Sequence, residues 1–149
     1  MILALAFLGA PSCLAAGWHE HWAASSTTAM SITGDVTLKT GEATLKTFEM
    51  RFGNGASLPI QPVRNVSFTD DIGRTGPATI YRITRPADPA LLHGNTLCGA
   101  PVTFVVIWHT PPLMPSEPVG RAFAAYAGAA EPAPNAGGAC AIYRYEVAK

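Results

Sequence analysis

Charge is scarce in this sequence. Asp, Glu, Lys and Arg together make up 13% of 149 residues, and ten basic residues cancel ten acidic ones. No basic stripe is available to neutralise phosphates, so no nucleic-acid partner is expected. No cationic amphipathic stretch is present to lie on a membrane surface. The apolar run at the start, Ile2 to Leu8, falls well short of the ~20 residues that span a bilayer. Reactive signatures are missing as well: no GxSxG elbow, no glycine-rich phosphate loop leading into a helix, no alternating Asp/Asn/Gly calcium loop, and no CxxC or Cys–His metal spacing. These absences point away from an enzyme, and no cofactor is expected.

What is present begins with MILALAFLGAPSCLAAG, a short apolar core followed by small residues. That is the outline of a secretory signal peptide, although it lacks the usual basic n-region. Cys13 could instead mark a lipoprotein, with Pro11 an unusual neighbour for a lipid-attachment box. The expected division is a signal peptide and disordered N-terminal segment over 1–24 and a single β-domain over 25–149. The expected place is the periplasm or the extracellular medium. Once the signal is removed, Cys98 and Cys140 are left. Two cysteines in an oxidising compartment are most simply joined. Each stands where a turn hands over to a strand, so the bond would clamp two strand entrances and close a loop of about 43 residues.

Alternation is the clearest structural signal. In TLKTFEMRF, residues 44–52, Phe48, Met50 and Phe52 fall opposite Thr47, Glu49 and Arg51, which predicts a half-buried antiparallel strand. Gly53-Asn54-Gly55 then predicts a hairpin turn. The return run SLPIQPV carries Pro59 and Pro62, which cannot donate to a ladder, so it is expected at a sheet edge. SITGDVTLKT (31–40) reads as a strand interrupted at Gly34 or as two short ones, and ATIYRIT (78–84) as a strand. VTFVVIW is apolar throughout, as in a strand covered on both faces. Ile142 to Val147 alternates again. ADPALLHGN predicts one helical turn, capped by Asp88 and closed by Gly94. RAFAAYAGAA (121–130) is ambiguous, with the Pro-rich loops on either side favouring a strand. Six to eight short strands imply an all-β chain: a small antiparallel barrel or sandwich with one disulfide.

Candidate chemistry is thin. Were cleavage to leave Gly17 as the first residue, Gly17, Trp18 and His19 would offer a square-planar nitrogen set for copper, with His21 near enough to add a ligand. The alternative is a segment with no function. His93 and His109 stand alone, as a cap and a strand end. Asp70-Asp71 reads as a solvated turn, because adjacent strand residues face opposite ways. A histidine and a carboxylate brought together in one pocket would reopen the enzyme class. Loops on a rigid β scaffold usually carry the contacts. The two longest without apolar periodicity, Asp70–Pro77 and Pro111–Gly120, therefore nominate Arg64, Arg74, Tyr81, Trp108 and Met114 as binding residues.

The strings YRITRPADPALLHGNTLCG (81–99), PVTFVVIW (101–108) and GACAIYRYE (138–146) are similar to a group of small exported proteins of Gram-negative bacteria. That similarity implies compartment and fold type and carries no activity with it. More weakly, the chain resembles the periplasmic lysozyme inhibitors, disulfide-stapled β-barrels whose Ser-Gly-Ala-Arg-Tyr-like loop enters the lysozyme cleft. Thr75 and Gly76 would stand for the Ser-Gly of that loop; the Arg-Tyr is absent, and Trp108 is followed by His109-Thr110 rather than by the family's lysine. The expected function is a non-enzymatic exported domain that binds a protein or envelope component through its loops, with an inhibitor's role implied by this resemblance. The alternative is a periplasmic small-ligand or copper-binding protein. A monomer or weak dimer is expected.

Overall fold

The computed structural model describes residues 19–40, 47–112 and 114–147. Eight antiparallel strands follow one another round a closed barrel: β1 (His19–Ala24), β2 (Val36–Thr40), β3 (Phe48–Arg51), β4 (Ser57–Thr69), β5 (Thr75–Ala87), β6 (Val102–Thr110), β7 (Gly120–Ala127) and β8 (Ala141–Val147). β1 closes the circle by pairing with β8, Trp22 opposite Val147. Residues 19–24 therefore belong to the barrel, and the expected domain boundary at 24/25 is corrected. Without β1, both β2 and β8 would present unpaired edges.

Inward and outward positions alternate along each strand, as closure requires. Trp22, Val36, Met50, Leu58, Ile60, Ile83, Val105, Phe123, Tyr143 and Tyr145 fill the lower interior and are almost wholly buried. Phe123 stacks on Tyr143 with ring centres 4.8 Å apart, and the ring of Tyr145 lies 5.7 Å from that of Trp22. The outward set of β1–β3 is polar: His19, His21, Lys39, Glu49 and Arg51.

β6 is buried on both faces, as its unbroken apolar run implies. Its outward residues Phe104, Val106 and Trp108 join Phe68, Ile80, Ala122 and Tyr126 in a second cluster on the outer wall. The β7–β8 connection straps that cluster: Ala136 and Ala139 pack on it, Tyr126 Oη donates to the Asn135 carbonyl at 3.0 Å, and Asn135 bridges Thr69 of β4.

One end of the barrel is sealed. The β1–β2 connection makes a π-helical turn, Ala29–Thr33, where a strand was expected over 31–33. Its Thr33 hydroxyl sits 2.6 Å from that of Tyr145, inside the barrel. Tertiary demand for that buried hydrogen bond overrides the local β pattern. Gly53 N–H donates to the Thr33 carbonyl at 2.9 Å. A Cβ on Gly53 would lie 3.2 Å from Gly34 Cα and from Thr33 O, so the two turns meet only through bare backbone. The β5–β6 connection completes the seal with buried Leu91 and Leu97. There the expected helical turn shrinks to a 3₁₀ turn, Leu92–Gly94, and Asp88 does not cap it. Asp88 Oδ1 instead accepts from the amides of Leu97 and Cys98 at 2.9 and 3.2 Å. Cys98 is bonded to Cys140 across β7, with Cα atoms 5.1 Å apart.

Two further expectations change. No strand of a closed barrel is an edge, so Pro59 and Pro62 are interior to the sheet. They are tolerated because the ladder there is one-sided among the described residues. Pro59 faces only Glu49 of β3, and Pro62 faces only Tyr81 of β5 beside a bulge. The stretch Asp70–Pro77 is not a long loop. Residues 70–74 form a tight turn, and Thr75, Gly76 and Pro77 already belong to β5. Residues 121–130 resolve as strand through Ala127.

Candidate functional site

Among the described residues the opposite end of the barrel is open and leads into a cavity of about 510 Å³. Its wall is apolar where Leu38, Phe48 and Ile107 contribute, and polar where Glu20, Asn65, Thr79, Tyr81, His109 and Arg121 do. Each polar residue sits on the inward phase of its strand. Glu20 is two residues from Trp22, His109 two from Ile107, and Arg121 two from Phe123, so the pleat turns all three inward.

Glu20 and Arg121 lie on strands that flank β8 and meet inside. Arg121 Nε is 2.6 Å from Glu20 Oε1, and Nη2 donates to Oε2 at 3.1 Å. Their side chains are only 13% and 12% exposed. Trp22 Nε1–H donates to Glu20 Oε1 at 2.6 Å. Two-point pairing plus a third donor is what a largely dehydrated carboxylate requires. Arg121 Nη1 also bonds Nδ1 of His109, its partner directly across the β6–β7 ladder. Arginine has only donors, so Nδ1 must accept, which leaves the ring proton on Nε2. Burial first, and then the Arg121 charge, hold His109 below the usual histidine range. Burial raises the Tyr81 phenol; a side-chain hydrogen bond with Thr79 opposes the shift and Glu20 adds to it.

No protein-family model, curated protein or solved structure matches this chain.

A histidine and a carboxylate do share this cavity. Glu20 already accepts from three donors, Arg121 Nε and Trp22 Nε1 on Oε1 and Arg121 Nη2 on Oε2, which leaves one of its four lone pairs open. What the wall offers is a fixed set of neutral groups: the His109 imidazole, the Tyr81 phenol and the Asn65 amide, whose Oδ1 already accepts from Thr79 at 2.9 Å.

The depressed histidine has a measurable consequence. Unfolded, His109 binds a proton near pH 6.5; folded, it binds one only at lower pH. Between those values the unfolded chain holds more protons, so stability is greatest above about pH 6.5, falls as pH drops towards the depressed value, and levels off below it. Urea unfolding from about pH 7 to 5 should show this slope, and His109→Gln should flatten it. Equal slopes in the two proteins would assign the titration to another group.

The residues nominated from sequence separate into several places. Tyr81 lies in the cavity wall. Arg74, Thr75, Gly76 and Trp108 converge on a cleft in the outer wall. Arg64 faces outward and pairs with Glu131 at 2.8 Å. Met114 is exposed in the β6–β7 connection. Gly17 and Trp18, on which the copper motif depends, lie outside the described residues. His19 and His21 are exposed on the outer face of β1, with His21 Nδ1 3.2 Å from Thr37 Oγ1 and Nε2 3.5 Å from Asp35. Among the described residues, no three His, Cys, Asp or Glu side chains are grouped to hold a metal. Glu20, Trp22 and Arg121 were not nominated. Their signal was a charge on the apolar phase of a strand, which only the correct strand boundaries make visible.

Proposed function

We propose that this protein is a non-enzymatic, exported binder of a small neutral molecule, taken into the open end of the barrel. The carrying observation is a cup: an eight-stranded barrel sealed at one end and, among the described residues, open at the other onto a cavity of about 510 Å³. Barrels of this strand number are wide enough to hold one small ligand, and that volume falls within the ordinary range for ligand sites. Arg121 and Glu20 neutralise each other, which favours an uncharged guest. The His109 Nε2–H and Asn65 Nδ2 groups are donors facing an apolar wall, which favours a guest with a carbonyl, ether or hydroxyl acceptor on an apolar body. The disulfide supports an oxidising compartment, periplasmic or extracellular. The charged outer face of β1–β3 supports a barrel in water rather than in lipid.

Binding of a protein or envelope component through the Asp70–Pro77 segment is less well supported. Its turn is folded onto the barrel wall: Asp70 Oδ1 accepts from the Ile72 and Arg74 amides at 3.0 and 2.8 Å, and Asp71 is paired with Arg144 of β8. Held so, it does not project as an inhibitory loop must.

Nile red, neutral and carbonyl-bearing, is a suitable probe. Its fluorescence should rise saturably on binding, and the Trp22 indole N–H resonance should shift, because that N–H is bonded to Glu20 in the cavity wall. Thr79→Trp, which fills the cavity, should weaken binding at least about tenfold. Undiminished binding by that variant would place the dye elsewhere and remove the proposal's support.

A further inference from the structure

We infer a second ligand site on the outer wall, suited to an apolar molecule that carries one carboxylate. It lies in a cleft of about 510 Å³ between the bend of the β4–β5 hairpin and the junction of β6 with the β6–β7 connection. The inference is independent of the barrel cavity.

Three observations converge there. The floor is aromatic: the rings of Phe68 and Trp108 are 4.9 Å apart, and both residues are at least nine-tenths buried. Val119, half exposed, continues this apolar surface along one wall. Second, Trp108 Nε1–H is the one buried side-chain polar atom among the described residues that has no hydrogen-bond partner. Such a donor costs free energy while unpaired, and its nitrogen is shut off from solvent, so its resonance reports on the cleft floor rather than on a bond to the guest. Third, a cation stands at the rim. Arg74 is 41% exposed, and its ion pair with Asp70 is long, 3.6 Å from Nε. Only Asp70 Oδ2 approaches Arg74, and at its Nε, while Oδ1 accepts from the Ile72 and Arg74 amides of the tight turn. The planar guanidinium edge is thereby left able to receive a second carboxylate in the two-point manner.

An apolar floor and a rim arginine together describe a fatty-acid-like anion. The tail lies on Phe68 and Trp108, and the head meets Arg74. An uncharged analogue gains the floor and loses the head, which sets the expected discrimination.

Decanoate is the probe, with decan-1-ol as its uncharged counterpart, and the indole N–H resonances of the whole protein are the readout. Trp108→Phe assigns the Trp108 signal. Decanoate should shift that signal saturably and leave the Trp22 signal in place, since Trp22 reports on the barrel cavity. Arg74→Gln should weaken decanoate binding about tenfold, as expected for one charged hydrogen-bonded pair, and should leave decan-1-ol unaffected. An unchanged Trp22 resonance shows that the variant is folded. No saturable shift at Trp108, a shift confined to Trp22, or equal decanoate affinity in Arg74→Gln would each overturn the site. Failure of Nile red to enter the barrel would leave it standing.

Discussion

Arg121→Met is expected to destabilise the protein by about 3 kcal/mol, near the lower end for breaking a buried pair because this one retains some solvent contact. The methionine matches the arginine stem in length, so little packing is lost. What changes is that Glu20, 12% exposed and previously held at two points, keeps only the Trp22 N–H. A largely buried carboxylate without its counter-charge must either stay charged at high cost or take up a proton. Restoring neutrality in the second position tests this account. The double variant Glu20→Gln/Arg121→Met should recover most of the loss, to within about 1 kcal/mol of the parent, because no uncompensated charge remains. Urea unfolding of the parent, both single variants and the double variant closes the cycle. A cost below about 1 kcal/mol for Arg121→Met would mean that water screens the pair as at an open surface, and the cavity would then be wetter than the geometry implies.

Removing the Cys98–Cys140 bond should cost about 4 kcal/mol. The bond joins residues 42 apart in sequence, and on the chain-entropy model the gain comes from restricting the unfolded chain over a loop of that size. Such a loss is a large share of the net stability of a small domain, and the melting temperature should fall by about 10–20 °C. The effect is local in one respect. Cys98 lies in the β5–β6 connection that seals the barrel, and Cys140 enters β8 beside it, bonded through its amide to the Ala125 carbonyl at 2.8 Å. The open end, where Glu20, His109 and Arg121 sit, is at the far side of the molecule. Cys98→Ala/Cys140→Ala should therefore melt early yet still take up Nile red with near-parental affinity well below its transition. A double variant as stable as the parent would remove the disulfide from any account of this fold. A stable variant that had lost dye binding would show the two ends of the barrel to be coupled.

Much of the scaffold was legible because alternation is a local property. A strand with one face in the core must repeat every second residue, and Phe48, Met50 and Phe52 do so whatever they later face. β6 was legible for the complementary reason: covered inside by the barrel core and outside by the strap, it has no polar phase. The cysteine pair followed from setting Cys13 aside with an expected signal peptide and joining the two cysteines that remain. The candidate site was largely hidden. Glu20 sits in HEHW, where two histidines draw the eye to metal chemistry and the true phase is set by Trp22. Arg121 lies in a segment that alanine makes ambiguous between helix and strand. The turn at 29–33 was missed because its reason is Tyr145, 112 residues from Thr33.

The amino-acid sequence by itself thus determined strand content, the turn at Gly53–Gly55, the doubly covered β6 and the Cys98–Cys140 pairing, all of which follow from periodicity or from counting. Closure of the sheet, the strand order that brings β1 to β8, the sealing of one end and the meeting of Glu20, His109 and Arg121 were decided only in three dimensions. The physical reason is that a strand's pattern says which residues share a face. Which faces look at one another depends on the circle of hydrogen-bonded neighbours, and no single strand carries that information.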